Sequence, residues 1–315
     1  MADMIAHASA VRTIEQAWGE ALYGPDGFYR RSAPADHFAT SVQGVPGVDS
    51  LLAQAISAYA DRLACTSILD LGAGRGELLR QLAGLRPDLV LTGCDVVARP
   101  GGLPERIAWL ESPGGAALPD PLRDLEQTLV VAHEWLDVVP CPVLTRTPKA
   151  LRQLTIDDSD GPLAEAADRA WAERWWPDGE VVEVGRPRDA AYGELVSRVS
   201  SGAVLAIDYG HLAGDRPWGG TLAGYRAGVV CPPQFDGSTD ITAHVAMDSL
   251  GATRLATQGE MFAELLSPPA APAYGLARTD PAGYLAALAA RSAWSAATDP
   301  WGLGGFWWAT TVVTS

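Results

Sequence analysis

The sequence predicts an α/β fold built on a doubly wound parallel sheet. From residue 66 onward, short apolar runs alternate with segments that carry leucines at helical spacing. The first run, "SILDLG", leads directly into a glycine-rich loop, and the last, "GFWWATTVV", is rich in aromatic and β-branched residues. Strands separated by helices are joined by right-handed crossovers, so we expect them to lie parallel in one sheet with helices on its faces.

The central strands are predicted first. They are "SILDLG" (67–72), "LVLTGCDVV" (89–97), "RIAWLES" (106–112), "TLVVAHEWLD" (128–137) and "AVLAIDYG" (203–210). Leucines at 78, 79, 82 and 85 mark the helix that follows the first strand. We expect the ending "GFWWATTVV" to return to the sheet as its final strand.

Additional segments surround these strands. Apolar spacing predicts helices over 3–22 and 50–63. Between the fourth and fifth strands lies an elaboration with a strand-like "RQLTI", a helix over 162–176 whose tryptophans belong to the core, and "GEVVEVG". Residues 212–270 look loop-rich and are predicted to cap the carboxyl edge of the sheet. The resulting division is a helical lid segment (1–64), the first half of the core (65–149), an inserted elaboration with a return helix (150–202), and the rest of the core with its cap (203–315).

Composition and charge exclude several classes of function. The formal net charge of −15 repels a phosphate backbone, so nucleic acid is a poor candidate partner, whereas a basic ligand or basic protein segment is attracted. No apolar run reaches the ~18 residues that cross a bilayer. The first residues resemble no signal peptide, which predicts a cytoplasmic protein without membrane contact. The four cysteines form no C-x-x-C pair, so we expect buried thiols and no metal site. An oligomer is possible, but nothing in the sequence indicates its state.

The glycine loop "LDLGAGRGELL" (69–79) predicts a nucleotide-type cofactor. It follows a strand and opens a helix, the position where open α/β sheets bind such ligands. Gly72 and Gly74 fit the dinucleotide pattern, but Glu77 occupies the third glycine site and would oppose a pyrophosphate. The pattern favours S-adenosylmethionine, whose amino-acid end is zwitterionic and whose sulfonium is cationic. NAD or another nucleotide is the alternative.

Roles follow for the residues around this loop. Asp70 is predicted to contact the methionine ammonium, and Asp95, 23 residues after Gly72, to accept hydrogen bonds from ribose hydroxyls. Trp109 or Leu110 is expected as one wall of the adenine site, although core packing explains Trp109 equally well. The full set of predicted cofactor-binding residues here is Asp70, Gly72, Ala73, Gly74, Gly76, Asp95, Val96, Trp109 and Leu110.

Beyond the loop, several stretches resemble the MidA family (the DUF185 group) of class I methyltransferases. The stretches are "YGPDGFY" (23–29), "HFATS" (37–41), "DLGAGRGEL" (70–78), "HEWLDVVP" (133–140), "IDYG" (207–210), "GTLAGYR" (220–226), "DITAHV" (240–245) and "TQGEM" (257–261). The resemblance covers nearly the whole chain. It implies a Rossmann-like core with helical additions, S-adenosylmethionine as cofactor, and protein-arginine methylation.

The chain departs from the family pattern at three places. Val42 and Gln43 stand after "HFATS" where the family has Pro-Glu, and His133 stands where the family's fourth-strand motif starts with Asn. The segment "SLGATRL" after "DITAHVAMD" is shortened, which suggests a trimmed element before the sixth strand. These departures put the methyl acceptor in doubt and leave the cofactor unaffected.

Two acids at the end of the fourth strand are the leading catalytic candidates. If the chain turns helical after His133, a spacing of three places Glu134 and Asp137 on one face, where a carboxylate pair would hold a guanidinium bidentately. Glu134, beside the expected sulfonium, is counted with the cofactor-binding residues as well. The alternatives are that Glu134 caps a helix or pairs with a basic residue and that Asp137 is solvated. His133 would line the cofactor, act as a base, or serve as a core or capping residue.

The remaining candidates surround the same edge of the sheet. Asp208 and Tyr209 end the fifth strand, Tyr29 is predicted to form an aromatic lid with Tyr23 and Phe28, and His244 is either a pocket residue or core. His37 with Thr40 or Ser41 is expected to reach the cofactor carboxylate, and Asp240 to cap its segment.

Three functions are compatible with these residues. The first is an S-adenosylmethionine-dependent methyltransferase that acts on nitrogen, most concretely on a protein arginine. The second keeps the chemistry and changes the acceptor to a small molecule. The third is an assembly chaperone that binds the cofactor with little or no turnover.

Overall fold

The computed structural model describes residues 12–31, 46–157 and 161–314. The strands within these segments are β1 (Ser67–Leu71), β2 (Val90–Asp95), β3 (Ala108–Glu111), β4 (Thr128–His133), β5 (Val143–Arg146), β6 (Leu151–Gln153), β7 (Val181–Glu183), β8 (Gly202–Asp208), β9 (Gly210–His211), β10 (Ala223–Arg226), β11 (Val229–Cys231), β12 (Asp240–Thr242), β13 (Val245–Ala246), β14 (Arg254–Thr257) and β15 (Trp307–Val313). The helices are α1 (Ile14–Tyr23), α2 (Phe28–Arg31), α3 (Val48–Arg62), α4 (Glu77–Leu85), α5 (Ala166–Trp175), α6 (Arg186–Ser197), α7 (Gln258–Leu265), α8 (Leu276–Thr279) and α9 (Pro281–Thr298).

The centre of the fold is a large mixed sheet with the strand order β14-β15-β8-β4-β1-β2-β3. The pairs β1–β2, β1–β4, β2–β3 and β4–β8 are all parallel. β1 and β4 are neighbours in space, yet the chain visits β2 and β3 between them. The crossovers therefore leave β1 in opposite directions, and this switch point is where open α/β sheets bind ligands.

The sequence pattern explains why β1, β4 and β8 lie in the middle of the sheet. Both faces of these strands are covered, and each strand is a nearly continuous apolar run that is buried along almost its whole length. The α/β fold and all five predicted core strands are thus confirmed. The final predicted strand is confirmed as β15, which lies between β8 and β14.

The final strand is the exception to the parallel arrangement of the five core strands. β15 runs antiparallel to both β8 and β14. The short 3₁₀ turn over Leu303–Gly305 delivers the chain to the sheet from the edge at which β8 ends, so Trp307 pairs with Asp208 and Val313 with Gly202.

The helices around the sheet match the sequence only in part. The predicted helix over 50–63 is α3, which begins two residues earlier at Val48. The helix predicted over 3–22 is described as α1 from Ile14 onward. Thr13 and Gln16 form a capping box that fixes the start of α1. Residues 1–11 lie outside the described segments. The helices α7 and α9 between β14 and β15 were not predicted.

The elaboration between β4 and β8 forms a small domain-like layer of its own. β6, β5 and β7 make a three-stranded antiparallel sheet, of which β5 was not predicted. Trp171 and Trp176 are buried in the cluster between this sheet and α5, as the sequence predicted for core tryptophans. The cap over 212–270 contains short antiparallel strands, β10 to β12, rather than loops alone.

In the described segments, no helix combines the length with the apolar character that crossing a bilayer demands.

Candidate active site

An open cavity lies at the carboxyl edge of the central sheet, above β1, β2, β4 and β8. It encloses about 1320 Å³ of empty space, counting the part that opens to solvent. Its walls come from the strand ends, from α1 and α2, and from the cap. They are Tyr23, Tyr29, Asp70, Leu71, Gly72, Gly74, Arg75, Glu77, Leu78, Asp95, Val96, Ser112, Gly114, Gly115, His133, Glu134, Trp135, Asp137, Val138, Tyr209, Tyr225, Asp240 and Thr242.

The glycine loop forms one end of the cavity. Gly72, Gly74 and Gly76 have φ values of +75°, +56° and +76°, in the left-handed region that favours glycine. Gly72 and Gly74 line the cavity, and their bare Cα atoms allow a ligand to approach the backbone. Gly76 does not line it, because a Cβ there would lie 2.7 Å from Cδ1 of Leu103 on the core side of α4. Ala73 is also buried in the core, so neither Gly76 nor Ala73 lines the cavity, and their predicted contacts with the cofactor stay predictions.

Asp95 braces this loop from the end of β2. Its Oδ2 accepts a 2.8 Å hydrogen bond from the backbone N–H of Gly74, and its Oδ1 accepts one of 3.2 Å from Val97. Each carboxylate oxygen has a second lone pair, so the side chain still has acceptor capacity on the cavity side. Its predicted hydrogen bonds to ribose hydroxyls stay a prediction, and its support of the glycine loop is a structural role that the sequence did not indicate.

Asp70 is a buried carboxyl at the floor of the same end. It is 3% exposed, and burial together with the neighbouring Asp95 and Glu77 raises the pKa of Asp70 to about 8. Three acids thus share a small volume. A cation bound among these acids would lower the pKa of Asp70 and so favour its ionised form. The ammonium group of a ligand pairs with that ionised form.

The wall beyond β3 differs from the sequence prediction. Trp109 packs across Gly93 on one face of the sheet and donates its indole N–H to Val97 O at 3.0 Å, while Leu110 packs into the core on the other face. Neither lines the cavity, so the structure gives no support for Trp109 or Leu110 as the adenine wall. On this side the cavity is lined by Val96, by the ring of Tyr23 and by three residues of the loop after β3: Ser112, Gly114 and Gly115.

The ring of Tyr23 lies against both glycines and leaves no room for a Cβ at Gly114, whereas Gly115 is favoured by its φ of +60°. A Cβ on Gly114 would lie 2.6 Å from Cδ1 of Tyr23, and one on Gly115 would lie 3.5 Å from Cε2 of the same ring. The carbonyl of Gly115 accepts a 3.1 Å hydrogen bond from the indole N–H of Trp135. The loop after β3 is thereby held between α1 and the segment after β4. In the sequence, the stretch "SPGG" directly after the third strand marks this loop, which was not predicted to belong to the site.

Glu134 occupies a strained backbone position at the mouth of β4. Its φ is +51°, although it is not glycine, and its N–H donates to Ile207 O at 2.8 Å. Left-handed non-glycine residues of this kind persist where the surroundings enforce them, often at functional sites. His133 lies beside it, with Nε2 3.7 Å from Oε1 of Glu134, and burial lowers the pKa of His133. His133 is therefore a neutral wall of the cavity.

Asp137 and Asp208 lie beneath Glu134. Asp137 is 2% exposed but reaches the cavity wall, whereas Asp208 is fully buried and does not line the cavity. Oδ2 of Asp208 accepts a 3.2 Å hydrogen bond from Leu136 N–H. Burial raises the pKa of both carboxyls, and the charge of Glu134 raises both further. The charge of Asp208 adds to the rise in the pKa of Asp137, whereas a hydrogen bond from Asp137 acts to lower the pKa of Asp208. Asp208 was predicted as a pocket-wall residue, but in the structure it lies at the end of β8 fully buried and outside the cavity wall.

Tyr29 and Asp240 connect the N-terminal helices to the cap. The hydroxyl of Tyr29 donates a 2.8 Å hydrogen bond to Oδ1 of Asp240 at the start of β12. Burial raises the pKa of Asp240 to about 7, against the lowering effect of Tyr29. Both residues line the cavity, as does Tyr23, whereas Phe28 is buried in the core beneath them. The predicted aromatic lid thus consists of Tyr23 and Tyr29 without Phe28, and Asp240 is a cavity residue rather than only a cap.

Tyr209 forms the wall on the side of β8. Its ring contacts Phe306 with centroids 4.2 Å apart and stacks on His244 at 5.8 Å. Tyr209 lines the cavity, whereas His244 does not. His244 is exposed, so it is not the core residue that was the alternative, and its predicted role in the pocket stays a prediction. Tyr225 from β10 lines the cavity as well and was not predicted.

Arg188 from α6 is a buried residue that the sequence analysis missed. It is 1% exposed, and its guanidinium donates to the main-chain carbonyls of Asp137 (2.9 Å), Val139 (3.1 Å) and His244 (2.9 Å). Its Cζ also lies 5.5 Å from the ring centroid of Trp18. One side chain of the elaboration thus fixes the segment after β4, the cap and α1 relative to one another. No motif marks it, because its partners are backbone atoms.

The predicted residues His37, Thr40 and Ser41 lie outside the described segments.

The described residues fit S-adenosylmethionine. Three features of the site occur together at the topological switch point of the sheet. They are a glycine loop whose space a Cβ would fill, a cluster of buried acids that favours a bound cation, and a carboxylate on Asp95 that can accept further hydrogen bonds. Residues 95–263 match the model of a family described as "Putative S-adenosyl-L-methionine-dependent methyltransferase", which is more than half of the chain.

The chain belongs to this family. It is an S-adenosylmethionine-dependent methyltransferase, and S-adenosylmethionine is its cofactor.

The fold of this methyltransferase also occurs in solved structures. A COG1565 superfamily member from Burkholderia thailandensis, described as a "likely methyl transferase" and bound to S-adenosyl-homocysteine, is 23% identical, with a TM-score of 0.73. The match covers 97% of this chain and 89% of that one. A native structure of a COG1565 superfamily protein from the same organism gives the same identity and TM-score over 98% of this chain and 89% of that one. A comparison with curated proteins found no match.

Proposed function

We propose that this methyltransferase methylates a cationic nitrogen, most concretely the guanidinium of an arginine in a basic protein segment. The observation that carries the proposal is the composition of the cavity wall away from the glycine loop. It combines three carboxyls with three tyrosine rings: Glu134, Asp137, Asp240, Tyr29, Tyr209 and Tyr225. Carboxyls and aromatic faces together are the environment that attracts an organic cation.

The electrostatics of the wall support a cationic acceptor. The negative charge of Glu134 raises the pKa of Asp137, Asp208 and Asp240, which places its carboxylate near all three. Among the described cavity residues, Arg75 is the only one with a cationic side chain, and it belongs to the glycine loop. The net charge of −15 attracts basic segments toward the protein as a whole.

Separate residues would serve the steps of the transfer. When bound, S-adenosylmethionine supplies an activated methyl group, and the new N–C bond forms as the C–S bond breaks. Glu134 holds two N–H groups of the guanidinium and thereby aims the third nitrogen along the cavity. Methylation releases one proton from that nitrogen. Asp240, whose pKa is raised to about 7 and whose Oδ1 is held by Tyr29, is suited to take it at neutral pH.

Radiolabelled methyl transfer tests this proposal. The protein is incubated with methyl-labelled S-adenosylmethionine and cell extract, and acid hydrolysates are analysed for methylarginines. We expect labelled methylarginine with the wild type, at least a 100-fold loss with Glu134→Gln, and S-adenosylhomocysteine affinity within about twofold of wild type. Glu105→Gln, a change at an exposed site, is the matched control and retains activity.

The other outcomes contradict the proposal in different ways. Label found only in metabolites assigns a small-molecule acceptor. Tight binding of S-adenosylhomocysteine without any labelled product assigns a cofactor-binding assembly factor. Unchanged turnover in Glu134→Gln removes Glu134 from the catalytic residues.

A further inference from the structure

Two carboxyl groups lie buried against each other below the cavity. Asp137 follows the end of β4, and Asp208 is the last residue of β8, the neighbouring parallel strand. They are 2% and 0% exposed. If both are treated as carboxylates, Oδ1 of each is a fully buried atom without any hydrogen-bond donor.

Such orphaned acceptors are rare in folded proteins, because each forfeits the hydrogen bonds that water would give it. A carboxylate has no proton to donate to another carboxylate. The two side chains are close enough for a hydrogen bond between them once one of them carries a proton. A single proton therefore satisfies two buried atoms at once, whereas the doubly ionised pair satisfies neither.

No guanidinium neutralises the pair directly. Arg188 is the cation beside it, but its N–H groups are directed to main-chain carbonyls, including that of Asp137. The other charged groups that act on Asp137 are Glu134 and Asp240, both negative, so they oppose a second charge on the pair. Asp208 receives one further donor, the N–H of Leu136, which marks it as the member better suited to carry the negative charge.

We propose that Asp137 and Asp208 share one proton at neutral pH, with Asp137 as the donor and Asp208 as the acceptor. Asp208 is then a positioning residue. It holds Leu136 through one oxygen and Asp137 through the other, and so fixes the segment that forces Glu134 into its left-handed backbone.

The shared proton changes the roles within the site. Asp137 presents a neutral carboxyl to the cavity, so at this position Glu134 alone is left to pair with the cation. The clamp of two carboxylates that the sequence suggested is replaced by one carboxylate and one neutral hydrogen-bonding group. This functional part rests on the proposed cationic acceptor, whereas the shared proton itself does not.

Infrared difference spectroscopy tests the shared proton without any acceptor. Spectra of the protein at pH 7 are recorded in the region of the carboxylic acid C=O stretch, and each variant is subtracted from the wild type. We expect Asp137→Asn and Asp208→Asn to remove the same band, because either substitution abolishes the sharing of the proton. The double variant removes no further band.

Asp168→Asn is the matched control. Asp168 is equally buried at 1% exposure, but it is ion-paired with Arg186 at 2.7 Å, so its replacement leaves the carboxylic acid region unchanged. Circular dichroism and S-adenosylhomocysteine binding establish that each variant is folded. The inference is overturned if neither aspartate variant changes the spectrum, or if the two remove different bands.

A measurement on the wild type covers the case in which the variants misfold. In protein with ¹³C-labelled aspartate carboxyls, two resonances that titrate together in two steps support one shared proton. If every aspartate carboxyl has the chemical shift of an ionised group at pH 7, the inference fails. Either result leaves the proposed acceptor to the radiolabel experiment, so the two failures are distinguishable.

Discussion

Oδ1 of Asp240 accepts a 2.8 Å hydrogen bond from the hydroxyl of Tyr29, and this bond joins α2 to the first residue of β12 across the cavity. Because Asp240 belongs to the cap and Tyr29 to the N-terminal helices, the two walls of the acceptor end are tied to each other as well as to the sheet. The indole N–H of Trp18, which donates to Ile241 O at 2.9 Å, is a second tie between the same elements.

Tyr29→Phe tests what this tie contributes. Removal of the hydroxyl leaves a buried acceptor without its donor, so we expect a loss of roughly 1–3 kcal/mol in the free energy of unfolding, measured in urea. The hydroxyl also lowers the pKa of Asp240, so that pKa should rise further in the variant. The basic limit of the pH dependence of methyl transfer should therefore be unaffected while its acidic limit moves to higher pH.

Tyr59→Phe is the matched control for Tyr29→Phe. The hydroxyl of Tyr59 is also buried and donates to Oγ1 of Thr310 at 3.2 Å, on the far side of the sheet from the cavity's cap. It should lower stability while leaving the pH profile unchanged. A profile that shifts equally in both variants would contradict a local role for Tyr29.

Cofactor binding should depend on the protonation of Asp70. The pKa of Asp70 is raised to about 8, so the side chain is mostly protonated in the free protein at neutral pH, and binding an ammonium requires its ionised form. Affinity for S-adenosylhomocysteine should thus increase as the pH rises toward 8, by at most about tenfold per pH unit. Calorimetry in buffers of different ionisation enthalpy should detect proton release on binding.

Asp70→Asn should abolish most of that proton release and weaken binding, whereas Asp178→Asn at an exposed site should do neither.

The pH dependence of the stability of the free protein supplies a second measurement. The folded-state pKa of Asp70 lies above the unfolded value, so its contribution is fully present below about pH 4 and is lost as the pH rises through 8. Proton release that persists in Asp70→Asn would point to Asp95, whose pKa burial also raises.

The glycine loop offers a pair of substitutions with opposite signs. Gly74→Ala places a Cβ on a residue with φ of +56°, which should cost roughly 1–2 kcal/mol of stability and weaken cofactor binding at least tenfold. Gly84→Ala lies within α4, where a Cβ meets nothing within 4 Å, and should stabilise the protein by about 0.5–1 kcal/mol. Thermal unfolding and binding of S-adenosylhomocysteine measure both effects. Equal destabilisation by the two alanines would refute the argument from backbone conformation.

Arg188→Met should be the most destabilising of the single substitutions considered. It leaves three buried carbonyls without their donors, and we expect a loss of at least ~3 kcal/mol in the free energy of unfolding. The guanidinium also lowers the pKa of Asp137 and Asp208, so both should become harder to ionise in the variant. Arg123→Met, at a side chain that is 56% exposed, should change stability little.

The core of the fold was predictable because it depends on local pattern. β1, β4 and β8 are buried on both faces, which leaves a continuous apolar run in each, and the turn after β1 requires glycines at positive φ. The extent of each strand fixes which residues lie at its carboxyl end. The sequence alone therefore placed four acids at the carboxyl edge of the sheet, where the structure has them: Asp70, Asp95, Glu134 and Asp137.

What the sequence did not predict depends on contacts between distant segments. Whether Trp109 faces the cavity or the core is decided by Gly93, which gives its ring a place to pack. Asp137 and Asp208 are 71 residues apart in the sequence, and only the parallel pairing of β4 with β8 brings them together as a buried pair. Arg188 binds three carbonyls from two segments, and backbone partners leave no trace in residue identities.

Because the backbone of Glu134 is left-handed, stability and activity should favour different residues at this position. A library of all residues at this position, sorted for stability alone, should enrich glycine and asparagine, which adopt positive φ at little cost. The same library sorted for methyl transfer should retain glutamate. At position 134, we thus expect the residues that give the most stable protein to differ most from the residue that gives the most active one.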